Sequence, residues 1–517
     1  MATDRSTPTA PGAAHAFLQA VPLAALFVVF LDTATDFFPD DPLAGVVTPT
    51  RIALFLGLLA PAVPVRGRPR ARLRDFRTRL DGPIALLLGA AVLTTFLGGH
   101  PTAPLRGLLT AVACYYLVVG LRRTQPESWR AVGLLAPAAA VAAGAAALAQ
   151  VTNDTPTGFC RTGLLTDISC DASGPGVLIR ATGTFANPNL LAAFLVLLLP
   201  FVLLAAVSVD ERTARTAVVL AGVLGYGALL TTFSRAGYVA GAAGLLVLGG
   251  AYGLAPRLAD RARRRLTAAL GLLALGVATA VIGAVSQAGT SLGVRGQAWN
   301  AALDIAVQHP LGVGLGRSGA VISATAPGDR VFVHAHNMWL NWLVETGPAG
   351  LAGVLAVTVV AWSTAARAAR AKSTVGTVGL ASLTGFLLIA MMDHPANLDR
   401  VDMLFWLVLA LVMAEAPAHW RPRTTAPTAR SGPRDTAPHA TAPPPRPRGH
   451  RRLPSAERRR PSRGPPGGFG GLPRPEPAET LRQFAVAYGA ASQWSTLAAP
   501  PGPDRSTRTS SVSFAAT

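Results

Sequence analysis

Apolar runs of membrane length recur along the chain, separated by short polar stretches. Twelve such runs lie near residues 17–31, 44–64, 83–99, 104–121, 131–150, 188–207, 214–233, 236–255, 266–286, 340–364, 375–392 and 402–416. A helix needs ~20 apolar residues to cross the ~30 Å hydrocarbon core. Hydrocarbon offers backbone amides no partners, so a chain of this kind crosses it as helices. The pattern predicts an all-α, polytopic membrane protein of about 12 transmembrane helices. The first and last runs are short and require longer helices or a locally thinned bilayer. Asp32, Asp36, Asp40 and Asp41 follow the first run without a small-x-small cleavage pattern. It therefore reads as a retained span rather than a removed signal peptide.

The polar interruptions set an orientation. Basic residues gather between runs two and three (Arg66 to Arg79), four and five (Arg122, Arg123, Arg130) and six and seven (Arg212, Arg215). They gather again between runs eight and nine (Arg257 to Arg265) and ten and eleven (Arg367, Arg370, Lys372). All five connections fall on one side, which the positive-inside rule makes cytoplasmic, with both termini on that side of the cytoplasmic membrane. Two long segments then lie outside, at about 151–187 and about 287–339. The first carries Cys160 and Cys170, for which an oxidising compartment predicts a disulfide. The second contains 294–308, where Trp299, Ala302, Leu303, Ala306 and Val307 recur with helical period. That spacing predicts an amphipathic helix lying on the outer leaflet, ended by His309-Pro310. Residues 1–416 thus form the membrane-embedded unit. Residues 417–517, rich in Pro and Arg, read as a disordered cytoplasmic tail.

Composition agrees with this and narrows the partners. Of 517 residues, 14% are charged, against roughly 25% in soluble domains. The net charge of +20 is concentrated in the tail and the basic loops. Such basic segments beside a membrane span lie against anionic headgroups, so no nucleic-acid partner is implied. Cys114 sits in an apolar run and reads as a small buried hydrophobe. No Cys/His set has zinc spacing, and no carboxylate cluster demands a metal.

Candidate chemistry gathers at the outer edge. Ser234-Arg235-Ala236-Gly237 interrupts the apolar stretch 214–255. An arginine there costs at least ~2.5 kcal/mol at membrane depth, which favours an anion-binding role over an arginine snorkelling to headgroups. Arg295 stands one turn before Trp299; the solvated face of an amphipathic helix is its plain alternative. Asn187-Pro188 is a helix start, with Asn as N-cap, and Arg180 lies just upstream. Gly314-Leu315-Gly316-Arg317-Ser318-Gly319 has the spacing of a dinucleotide loop but lacks the preceding strand that such a site needs. Its glycines instead predict a tight turn that brings backbone N–H groups near a ligand or another loop. His334 reads as merely exposed. His336 is followed by Asn337, Asn341 and Glu345 at four-residue intervals, which puts three polar groups on one helix face.

These residues carry a resemblance. His336-Asn337 followed by Gly347-Pro348-Ala349-Gly350 resembles the signature of the O-antigen ligase and polymerase superfamily of membrane glycosyltransferases. So do Gly183 to Asn189, Ser234 to Gly237, Arg295 with Trp299, and Pro310 to Gly314, in the family's order. The resemblance covers about residues 180–350. It implies a GT-C-like bundle with a large extracytoplasmic loop between helices nine and ten. It implies transfer of a glycan from an undecaprenyl-diphosphate carrier to an acceptor hydroxyl, without nucleotide, metal or other cofactor. Carried onto this chain, it gives His336 as general base and Arg235 and Arg295 as stabilisers of the leaving diphosphate. Arg180, Asn187, Asn337 and Glu345 follow as binding or orienting residues. Two alternatives belong to other classes: a transporter of a small anion such as bicarbonate, and a non-catalytic scaffold of envelope assembly. A transporter places ionisable groups near the bilayer midplane, whereas here they gather at one face.

Overall fold

The computed structural model describes residues 13–35, 47–63, 73–125, 128–162, 166–168, 177–254, 261–262, 265, 294–328, 330–397 and 399–415. Its helices are α1 (Ala13–Thr35), α2 (Pro49–Leu59), α3 (Asp81–Leu97), α4 (Ala103–Thr124), α5 (Ser128–Thr152), α6 (Pro188–Leu198), α7 (Phe201–Ser208), α8 (Arg212–Thr231) and α9 (Arg235–Leu248). They continue as α10 (Val294–Gln308), α11 (Ser318–Thr325), α12 (Met338–Arg370), α13 (Thr374–Ala390) and α14 (Asp399–Glu415). Helices thus stand at eleven of the twelve apolar runs. The ninth run, 266–286, the tail 417–517 and Cys170 lie outside the described residues. Among the described residues, six segments are long and apolar enough to cross a membrane, and α2, α3 and α13 are shorter apolar helices. The protein is a polytopic, mostly helical membrane protein.

Burial sorts these helices. α6 and α7, broken at Pro200, are the most enclosed, and α6 is buried from Leu191 to Leu198. α8 is the opposite, exposing Val219, Leu220, Val223 and Leu224. An apolar helix with so much bare apolar surface is covered by lipid tails. Between helices, small residues allow close approach: a Cβ on Gly353 of α12 would lie 2.8 Å from the Leu87 backbone nitrogen of α3.

The bundle has two chemically distinct ends. At one, Arg122 of α4 pairs with Glu415 of α14 at 2.7 Å, and Arg123 donates to the Asp75 and Arg77 carbonyls. At the other, Arg400 of α14 donates to the Thr33 carbonyl of α1 and to the Thr184 carbonyl and hydroxyl. Its guanidinium also lies 4.0 Å from the centre of the Phe185 ring. The Gly183–Asn189 stretch is therefore stitched to both chain-distant helices at the polar end.

Both long segments between apolar runs carry structure, the first of them unexpectedly. In 151–187, strands β1 (Cys160–Thr162), β2 (Thr166–Ile168) and β3 (Val177–Ile179) form a small antiparallel sheet ordered β2-β1-β3, with Cys160 opposite Ile179. Cys160 is buried and disulfide-bonded, and Cys114 is a free buried thiol. The 294–308 helix is present, but its buried face differs from the expected one. Ala298, Trp299, Ala301, Ala302 and Ile305 pack with Ile322, Phe332 and Val344 in a second core, while Leu303 and Val307 point outward. The reason is that α10 packs against α11 and α12, so its inner face is set by protein contacts.

The segment from Pro310 to Gly316 docks on α12 through backbone. Pro348 has no N–H to give to the Val344 carbonyl four residues earlier. Gly347 leaves the helical region altogether (φ 67°, ψ −173°). The freed Val344 and Glu345 carbonyls accept instead from the Val313 and Gly314 N–H groups, at 2.8 and 3.0 Å. There is no room for a side chain: a Cβ on Gly347 would lie 2.4 Å from the Pro310 carbonyl oxygen. The Gly-x-Gly spacing thus serves a loop-to-helix joint. Gly347→Ala is expected to cost ~1–3 kcal/mol in backbone strain alone. A lower thermal midpoint in detergent measures it, with Gly89→Ala as the comparison, since a Cβ on Gly89 of α3 would meet nothing within 4 Å.

Candidate functional site

At the polar end a cavity of about 320 Å³ is lined by Arg161, Arg180, Arg235 and Arg295, with Asn189, Ser234 and Asp393. Each arginine arrives on a different element. Arg161 lies in β1, its guanidinium 5.7 Å from the Phe233 ring centre. Arg180 follows β3; it donates from Nε to the Thr232 carbonyl at 3.1 Å and from Nη2 to Asn189 Oδ1 at 3.3 Å. Arg235 is the first residue of α9, where Ser234 caps the helix by accepting from the Gly237 N–H. Arg295 is in the first turn of α10. Because Arg180 holds the α8–α9 turn, the sheet loop and the Arg235 turn are fixed to one another.

His336 stands against this cavity. Its backbone is in the left-handed region (φ 50°), a conformation that costs free energy in a non-glycine residue and persists only where neighbours enforce it. Trp299 of α10 donates to the His336 carbonyl at 3.3 Å. The His336 N–H donates to His334 Nδ1 at 3.0 Å. His334 Nδ1 is therefore an acceptor, which leaves the His334 proton on Nε2, 3.3 Å from Asp393 Oδ1. His336 Nδ1 lies 3.7 Å from the same oxygen, too long for a hydrogen bond but close enough for electrostatic contact. Of the two rings His336 is the more open, with 28% of its side chain exposed against 12% for His334. His334, expected to be exposed, is instead a buried partner of Asp393; the turn at His336 folds its ring inward.

Asp393 accepts from the Asn189 side chain at 3.1 Å and from the His394 N–H at 2.8 Å. Burial alone would raise its carboxyl, but the His336 and His334 rings and the His394 N–H outweigh this and hold it well below the usual carboxylate range. Burial pushes the His334 imidazole down to about 4 despite the Asp393 charge, with His336 and Arg295 acting the same way. Burial likewise pushes His394 down to about 3. Asp393 is thus ionised and His334 and His394 are neutral at neutral pH. The ligand atoms of His334, His336 and Asp393 lie within 4.8 Å of one another, near enough for one cation by distance alone. Both His334 nitrogens, however, already have partners in the cluster.

Arg180, Arg235 and Arg295 line one cavity; His336 is not in its lining and adjoins it through Asp393. The other named residues are elsewhere. Asn187 caps α6 through the Asn189 N–H, and it is Asn189 that reaches the cavity. Asn337 caps α12 by accepting from Trp339 and Leu340, and donates to the Met391 carbonyl. Glu345 is buried and accepts from the Ser318 hydroxyl at 2.7 Å. Asn341 accepts from the Ala335 N–H. The polar face of α12 thus holds the segment that precedes it. Arg161, Asn189, His334 and Asp393 were missed. Asp393 had a signal: an acidic group at the polar end of an apolar run, the same kind of interruption that marked Arg235.

Residues 216–355 match the family model described as O-Antigen ligase. This segment is similar to the O-antigen ligase domain. It contains Arg235, Arg295 and His336, whereas Arg161, Arg180, Asn189 and Asp393 lie outside the matched residues. No curated protein matches the chain. The match covers about a quarter of the chain; it supports membership of the O-antigen ligase and polymerase superfamily and, with it, a part in envelope polysaccharide biosynthesis.

The lowered imidazoles give the cluster a pH dependence. Between about 4 and the ordinary value of 6.5 the folded protein binds fewer protons at His334 than the unfolded chain. Stability is then expected to be flat above pH 7 and to fall as pH drops through that window. Thermal unfolding at pH 7.5, 6 and 5 checks this; His394→Asn should flatten the slope.

Proposed function

We propose that the chain transfers or polymerises an undecaprenyl-diphosphate-linked glycan onto an acceptor hydroxyl at the outer face of the cytoplasmic membrane. The observation that carries this reading is the convergence of four arginines on one cavity whose wall includes the carboxylate beside His336. Arg235 and Arg295 hold the diphosphate, with Arg161 and Arg180 completing the ring of charge. The acceptor oxygen attacks the anomeric carbon as the bond to the diphosphate oxygen breaks, and the electron pair leaves with the diphosphate. The Asp393 charge, 3.7 Å from Nδ1, favours the His336 tautomer with its proton on that nitrogen, so that Nε2 takes the proton of the attacking hydroxyl. Direct displacement inverts the anomeric centre. The cationic job falls to fixed guanidinium groups, so the reaction runs without metal.

The polar end of the bundle is the outer end in this reading, and the Arg122–Glu415 end is cytoplasmic. The expected disulfide between Cys160 and Cys170 belongs to the same outer compartment.

Reconstitution in liposomes with an undecaprenyl-diphosphate glycan tests it. His336→Gln should lower turnover by about 10²–10⁴, and Arg235→Gln by about 10²–10³. Excess chelator should leave the rate unchanged. Full transfer by either variant at normal expression defeats the assignment, and solute flux without transfer moves the protein to the transporter class.

A further inference from the structure

A second cavity, of about 280 Å³, opens between α2 and α4, with walls from Leu54, Phe55, Leu58 and Leu109 and two arginines, Arg51 and Arg106. Arg51 lies in the first turn of α2 and donates from Nε to Thr110 Oγ1 at 2.9 Å. Arg106 lies in the first turn of α4 and donates to Thr102 Oγ1 at 2.6 Å. The two cations therefore sit at one end of the groove, and the leucines and Phe55 follow one and two turns further along. Phe55 and Leu109 are exposed, so the groove faces lipid rather than protein.

Contacts fix which end of the bundle this is. Next to Arg51, Thr50 donates to Asp32 in the last turn of α1. The neighbouring Thr33 carbonyl receives Arg400, and Thr184 donates to the Ala34 carbonyl. Beside the start of α4, His100 Nδ1 lies 2.9 Å from Arg317 Nη1, and a Cβ on Gly316 would meet Pro104 at 2.8 Å. Arg51 and Arg106 thus belong to the end that holds the arginine cavity, opposite the end where the basic connections meet Glu415. Arginines at this end run against the bias that collects them at the other. None of the residues lining the groove lines the catalytic cavity.

We infer that this groove holds an anionic glycerophospholipid of the surrounding bilayer. Its phosphate lies on Arg51 and Arg106, and one acyl chain runs along Leu54, Phe55, Leu58 and Leu109. The charge pattern commits to this occupant: two guanidinium groups at the headgroup level suit one phosphodiester, and a lipid-facing apolar trough suits a single tail. The inference needs the groove to open to the bilayer, but not the glycan-transfer reading.

The full chain, reconstituted in nanodiscs of phosphatidylcholine with a minor fraction of phosphatidylglycerol, is re-extracted and its retained lipid read by native mass spectrometry. Phosphatidylglycerol is expected well above its mole fraction in the disc. Arg51→Gln/Arg106→Gln should lower that retention on the order of tenfold, and the double Lys variant should restore part of it with an unchanged thermal midpoint. Arg235→Gln, which alters only the other cavity, should retain as much as the wild type. Retention in proportion to the bulk lipid, or equal retention by the double Gln variant, overturns the proposal. So does displacement of phosphatidylglycerol by undecaprenyl phosphate at equal mole fraction, because the occupant would then be the carrier lipid.

Discussion

One buried carboxylate organises the polar end of this bundle. Asp393 stands where α13 has ended and α14 has not begun, with little water to solvate it. A charge in such a place persists only if fixed donors replace water. Here they come from two chain-distant segments, Asn189 at the start of α6 and His334 in the loop before α12, and from the N–H of the adjoining His394. Satisfying that one charge therefore draws together the helix that carries Asn189 and the loop that carries His336. The same carboxylate offsets part of the repulsion among four arginines on one wall. Electrostatic necessity and placement of the reactive groups are here the same contact.

The second constraint is geometric. A proline without an N–H and a glycine outside the helical region release two carbonyls in α12, and the Val313–Gly314 backbone takes them up. That joint, with Glu345 holding Ser318 and Asn341 holding Ala335, fixes the segment before α12 to a membrane helix. The left-handed backbone at His336 is enforced from both sides, by Trp299 above and by His334 below. Most of the polar residues on the α12 face thus hold the scaffold, and a smaller number of groups are left for chemistry.

This division explains what could be read from the chain alone. Helix positions were legible because each apolar run must satisfy its own backbone, and that is a local demand. Arg235 was legible because a charge beside apolar residues is costly and needs a reason, whereas Arg295, which alone reads as the solvated face of a helix, was marked only by the family resemblance. The cap at Asn187 was legible from Asn-Pro. The roles of Asn337 and Glu345 were not, because a polar helix face looks the same whether it meets substrate or a neighbouring loop. The inner face of α10 was misjudged since periodicity gives an apolar stripe without saying which elements cover it. Arg161 had no local mark at all. It reaches the cavity through a three-stranded sheet of very short strands, whose pairing of Cys160 with Ile179 is a long-range fact.

The cavity's charge bears on how the proposed reaction would be driven. Four arginines and one aspartate give the lining a formal charge of +3, from 4 − 1. A diphosphate diester bears two negative charges, and cleavage of its sugar bond adds a third as the leaving oxygen takes the electron pair. The lining therefore matches the product-like charge more closely than that of the bound donor. A fixed field of this kind stabilises the transition state more than the ground state, which is the condition for it to raise turnover rather than affinity alone. It works only if the cations are held apart without the ligand. The ties from Arg180 to Thr232 and Asn189 do this on one side of the cavity, outside the matched O-antigen ligase segment. In the proposed reaction the matched segment would supply the reacting groups, and the flanking helices and sheet hold the charge field in place around them.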